Sequence, residues 1–177
     1  MPVEPTRMLR GALAGAVAAG ASAAQSPLDR RVFGVDYDDP ELLGKALTRG
    51  PAARPLGLAA HVLNGAAFGA VYSAAAPSVP VAPWARGPLA GAFEGVATWP
   101  LVAVIERVHP ARDELPQMWG SRHAFAQMLW RHVFFGALLG ELERRLNPPE
   151  DAEEPPSAMV VSTNGHGRVE ALVTAAD

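Results

Sequence analysis

The chain has 177 residues, 49% of them hydrophobic and 19% charged, with no cysteine and a formal net charge of −3 at pH 7. That length suits one ordinary domain rather than a multi-domain enzyme. The missing cysteines exclude disulfides, thiolate catalysis and cysteine-based zinc sites, and without a basic block nucleic-acid binding has no electrostatic footprint.

Mean hydropathy is only +0.09, but the charges are segregated along the chain. None lies between Arg10 and Asp29, and none between Arg54 and Arg86. Glu94 is the only charge from Gly87 to Ile105, and Arg131 the only formal charge from His123 to Gly140. A bilayer core about 30 Å thick needs roughly 20 apolar helical residues. Four segments fit, at about 8–25, 55–76, 87–107 and 122–142. The expected fold is all-α: a four-transmembrane-helix bundle over 1–146, with a flexible acidic tail over 147–177. A soluble Ala-rich bundle would instead show a charged outer face on each helix, and these segments are apolar all the way round.

The first segment is mostly Ala and Gly, so it depends on its neighbours for insertion. It also carries a second reading. Arg7 and Arg10 precede an apolar run, and Ala21-Ser22-Ala23 has the small-residue pattern of a signal-peptide cleavage site.

The loop after it, 26–54, contains Asp39-Pro40-Glu41, which reads as an N-cap, a first-turn proline and an acid matched to the helix dipole. Leu42, Leu43, Ala46 and Leu47 share a face, and Gly50-Pro51 stops the helix. The pattern predicts a short interfacial helix along the membrane surface or under the bundle. The second loop, 77–86, is a stiff proline-rich turn. Trp84 and Trp119 fall at opposite ends of the spans, where aromatic belts form. Pro100 interrupts the third span and predicts a kink near Val96 to Thr98. Past Leu146 an acidic Pro-rich linker begins, with a weak hairpin pattern over 158–175. The side holding both termini carries five Arg or Lys residues against eight on the other. That leans towards a cytoplasmic first and third loop.

Small residues recur four apart in every span: Gly11 and Gly15; Gly65 and Gly69; Gly87, Gly91 and Gly95; Gly136 and Gly140. Such strips allow close helix approach, and they suit packing within the chain or contact with a second copy or another membrane protein. Polar residues follow similar stripes. His61 and Asn64 lie on the second span, Glu94 and Thr98 on the third, Gln127 and Arg131 on the fourth. A bilayer penalises these residues, so they are expected to form an intramembrane polar network. Glu94 and Arg131 lie within about a turn of each other in depth, which predicts that they pair or share a polar network. No cofactor or metal is expected. His61 and His132 differ in depth by about a turn, whereas haem ligands need matching heights. His61 therefore reads as a hydrogen-bonded core histidine. No H-E-x-x-H, G-x-S-x-G or paired-carboxylate arrangement falls within a span, so no catalytic role is expected.

Several pieces in order resemble the YagU-like group of small bacterial inner-membrane proteins. They are Gly11-Ala12-Leu13-Ala14-Gly15 with Pro27-Leu28-Asp29-Arg30; His61 with Gly65, Phe68, Gly69 and Tyr72; Gly87 to Gly91 with Trp99-Pro100-Leu101; and Trp130, His132 and the Glu141 to Arg145 run. The resemblance covers roughly residues 10–146, and the loop between the first two spans departs from it. It implies a four-helix, multi-pass plasma-membrane protein with no established reaction. The residues themselves favour a non-catalytic structural, accessory or stress-related component whose surroundings are the lipid bilayer. The alternative is a small oligomeric channel or transporter using Glu94, Arg131 and His61.

Overall fold

The structure is a computed structural model, and it describes residues 4–148. The acidic tail and the expected hairpin lie outside the described residues. Six α-helices follow in chain order: α1 Pro5–Phe33, α2 Asp39–Leu47, α3 Ala53–Ala75, α4 Pro83–Thr98, α5 Leu101–Val108 and α6 Arg122–Leu146. Short 3₁₀ turns stand at Ala76–Ser78 and Arg112–Glu114. There is no strand among the described residues, as an all-α fold requires.

One helix, with its trailing turn, is long and apolar enough to cross a membrane by itself, at Ala53–Ser78. The pair Pro83–Thr98 and Leu101–Val108 gives a second if it counts as one bent span. This is fewer than the four expected. α1 is rich in Ala and Gly, and α6 carries Gln127, Arg131 and Glu143, which lower their average hydropathy.

α1 lies between α3 and α6, α4 packs on α6, and α2 packs on α3. The glycine strips make two of these contacts. A Cβ added to Gly15 would overlap the Gly65 carbonyl oxygen, and one on Gly87 would overlap that of Gly136. Backbones that close leave no room for a side chain on either helix, so α1–α3 and α4–α6 meet through their smallest residues. The strips are thus occupied within one chain. A third close approach joins Gly57 of α3 to Pro40 and Gly44 of α2.

Three boundaries differ from the sequence reading. α1 runs on through Pro27 to Phe33, where Gly34 ends it in the left-handed region at φ 71°. The small residues Ala21 to Ala23 therefore lie inside a continuous helix. α2 is capped by Asp38, whose side chain accepts from the Glu41 backbone N–H, and it ends at Leu47. Asp39 is thereby freed for another partner. The third span starts at Pro83 and breaks at Trp99-Pro100 with a bend of 51°. Proline removes one hydrogen bond there, and Thr98 Oγ1 donates to the Glu94 carbonyl at 2.8 Å, a back-bond that favours bending.

The interior is built from small residues. Ala14, Ala18, Ala19, Ala76 and Ala124 are buried, with Leu139, Tyr72 and Met128 as the larger members. Many large apolar side chains instead face outward.

Candidate functional site

Two polar clusters and one cavity occupy the bundle. The first cluster centres on Asp29 and Arg131. Because α1 continues past Pro27, Asp29 falls on the same face as Gly11, Gly15, Ser22 and Ser26, and all five are buried. Arg131 sits on the matching face of α6. Its Nε donates to Asp29 Oδ2 at 2.5 Å and one terminal nitrogen donates to Oδ1 at 2.7 Å. The remaining guanidinium donors reach Asp39 Oδ2 at 3.1 Å, Ser26 Oγ at 3.0 Å and the Tyr37 carbonyl at 2.7 Å. Gln127 and Gln25 also donate to Asp29, at 2.8 and 3.1 Å. The Tyr37 hydroxyl donates to Asp39, while its ring lies 4.9 Å beneath the guanidinium carbon. Burial pushes the Tyr37 phenol well above its ordinary value, and the neighbouring Asp39 carboxylate adds to the rise. The arrangement joins α1, α2 and α6 through one guanidinium.

The second cluster lies at the opposite end. Arg7 of α1 pairs with Glu143 of α6. Ser73 of α3 and Asn147 both donate to Glu143 Oε1 at 3.1 Å. Arg7 Nε donates to the Ser73 carbonyl at 2.9 Å. Each end of the bundle is therefore tied by an ion pair, fully buried at Asp29–Arg131 and part-buried at Arg7–Glu143.

The cavity, of about 240 Å³, opens between α3, α4 and α6. His61, Asn64, Glu94, Thr98 and Arg131 all line it, so five of the six residues expected to form a polar network share one space. Gln127 stands apart from that wall, bonded to Asp29.

The expected pairing of Glu94 with Arg131 is not what forms. Glu94 Oε2 lies 2.7 Å from His132 Nε2 instead. The depth argument places Glu94 near the right level, since Gly91 and Gly95 both abut His132. Helical phase decides the partner. Successive residues on a helix turn by about 100°, so Arg131 faces α1 while His132 faces α4. His132 Nδ1 donates to the Met128 carbonyl at 2.8 Å. The Nε2 of His61 has no hydrogen-bond partner among the described residues, contrary to the hydrogen-bonded core role expected for it.

Sequence reasoning missed Asp29, Asp39, Arg7, Glu143 and the pairing role of His132. For four of them a signal existed. Extending the glycine strip of α1 by helical steps meets Arg7 and Asp29 at its two ends, and extending that of α6 by steps of three or four meets His132 and Glu143. Beneath the bundle, His109 Nε2 contacts the Leu42 carbonyl at 3.1 Å, and Lys45 bridges Glu41 and Glu114 at 2.7 and 3.2 Å. The Glu41 hydrogen bond raises the Lys45 ammonium above its ordinary value.

Comparison with protein families, curated proteins and solved structures finds no match for this chain.

Proposed function

We propose that this chain is a four-span integral membrane bundle serving as a non-catalytic structural, accessory or stress-related component of a bacterial plasma membrane. The spans are α1, α3, the bent α4–α5 pair and α6. One observation carries the reading: large apolar side chains point out, and small or charged ones point in. Leu13, Leu63, Val71 and Phe93 are between 58% and 76% exposed, while Asp29 and Arg131 are 1% and 3% exposed. In water that inversion leaves an apolar surface around the bundle. In lipid it is the favourable arrangement, because small residues let helices approach and ionisable groups shelter against one another.

The outward Trp84 and Trp119 at opposite ends suit the two interfaces, and the resemblance to the YagU-like group points the same way. The interior charges support a bracing role, since the donors of Arg131 are committed to protein acceptors. An oligomer would have to use faces other than the occupied glycine strips. Alkaline carbonate washing of expressing membranes tests residence. The chain is expected to stay in the pellet until detergent is added, and its release into the wash would end the proposal.

A second reading, a small channel or transporter, is favoured by the cavity that gathers Glu94, His132 and His61. Flux through reconstituted vesicles that ignores Glu94→Gln would remove it.

A further inference from the structure

The cavity between α3, α4 and α6 has a chemistry that bracing does not use. Phe68, Trp99 and Phe135 line it, and Phe68 and Phe135 meet edge to face at 5.7 Å. At its polar end stands the Glu94–His132 pair, with side chains 31% and 24% exposed. Aromatic faces beside a carboxylate attract cations. An anion finds no comparable partner, because the donors of Arg131 go to Asp29, Asp39, Ser26 and Tyr37. The two carboxylates on the cavity wall differ in their partners: Asp39 is bound to Arg131, and Glu94 to His132.

The geometry also counts protons. His132 Nδ1 must donate, because the Met128 carbonyl only accepts. Its Nε2 then faces the Glu94 carboxylate, and that contact holds one shared proton. We infer that the cavity binds a small organic ammonium ion at the Glu94 carboxylate, and that binding releases the proton shared by Glu94 and His132. The imidazolium–carboxylate pair becomes a neutral imidazole beside an ammonium–carboxylate pair, and the proton passes to water. The other charged or titratable groups around the pair are His61 on α3, Asp39 on α2, Arg131 on α6 and Tyr37 before α2. α1 and α5 contribute no ionisable side chain to the cavity wall.

A volume of about 240 Å³ lies just under the roughly 300–1,000 Å³ of drug-sized sites, so the ligand is small. α3 and α4 share no extended packing among the described residues, and Leu42, Leu43, Val102 and Ile105 complete the wall. The inference deepens the second reading above. It rests on the cavity and not on membrane residence, so binding in detergent and carbonate extraction fail independently.

The test is calorimetric titration of the purified full chain with benzyltrimethylammonium, from pH 6 to pH 8, in buffers of differing ionisation enthalpy. Saturable binding is expected, accompanied by release of up to one proton. Affinity should rise by about tenfold per pH unit while the imidazolium is the resting form, then level off. The uncharged isostere neopentylbenzene and the anion benzenesulfonate should each bind at least about tenfold more weakly. Glu94→Gln should lose at least about tenfold in affinity. His132→Asn should bind the ammonium without pH dependence, and this arm decides the matter if Glu94→Gln does not fold. No binding of the ammonium, equal binding of the isostere, preference for the anion, or pH-independent binding to the unaltered chain would each overturn the inference.

Discussion

Asp29 of α1 and Arg131 of α6 form a bidentate ion pair, and neither side chain is more than 3% exposed. The pair lies about four turns beyond Gly15 on the same buried face of α1, and it fixes α1 against α6. Such a pair contributes little net energy over an apolar replacement, but breaking one side of it is costly.

That asymmetry gives a direct prediction. Arg131→Met alone leaves Asp29 buried without its cation and should cost about 3–5 kcal/mol. Adding Asp29→Leu should recover most of the loss. Thermal unfolding of the single and double variants and of the unaltered chain in detergent checks this. A double variant as unstable as the single one would show that the pair does not act as a unit. Glu143→Ala at the other end should be milder, because Arg7 keeps 27% of its side chain exposed and can turn to solvent.

The glycine strips predict opposite results for neighbouring glycines. Gly15→Ala places a Cβ against the Gly65 carbonyl oxygen, and should destabilise by about 1–3 kcal/mol. Gly20→Ala meets nothing within 4 Å, and should be neutral or stabilise by about 0.5–1 kcal/mol through helix propensity. Unfolding midpoints of the two variants, compared with the unaltered chain, read the difference. Equal effects would mean that α1 and α3 do not meet as described.

Alkaline pH should loosen the end of the bundle that holds α2. Both Tyr37 and Lys45 are raised above their ordinary values in the folded chain. Between the unfolded and folded values the folded state therefore holds more protons, and stability falls as pH rises. Their contribution is complete below about pH 10 and is lost as pH climbs through the raised values. Unfolding midpoints measured from pH 8 to pH 12 should decline in that window. Tyr37→Phe should remove the tyrosine share of the slope. A midpoint unchanged across the window would contradict the part-buried Tyr37–Asp39 bond.

Much of this was legible in the sequence, and the misses have physical causes. The charge gaps locate the four long helices, because a helix cannot carry charge on a face pressed against apolar surroundings. Pro100 marks the bend. Pro27 lies just past the first expected span, at about 8–25, where a proline ordinarily signals a helix end. Here α1 passes through it, so Asp29 reads as a loop residue when it is a buried one. Glu94 shares a cavity wall with Arg131 but pairs with His132, because depth without angle does not fix a partner. His132 stands one residue beyond Arg131 and about 100° round the helix, and that rotation separates a brace to α1 from a cavity facing α4. From sequence Asp39 reads as the cap of α2. Asp38, one residue earlier, does that work and leaves Asp39 for Arg131.

The central claim is that the outward apolar faces of these helices lie in lipid, and single-cysteine labelling tests it most directly in a chain that has no cysteine of its own. Cysteines placed at Leu13, Leu63, Phe93 and Trp130 are compared with cysteines at Arg31, Arg49 and Pro80, in intact membranes, using a water-soluble maleimide. All seven positions are exposed on the protein surface, so burial within the fold does not separate them. The account predicts rapid labelling of the last three, with the first four protected until the membrane is dissolved. Equal labelling of both sets in intact membranes would contradict it.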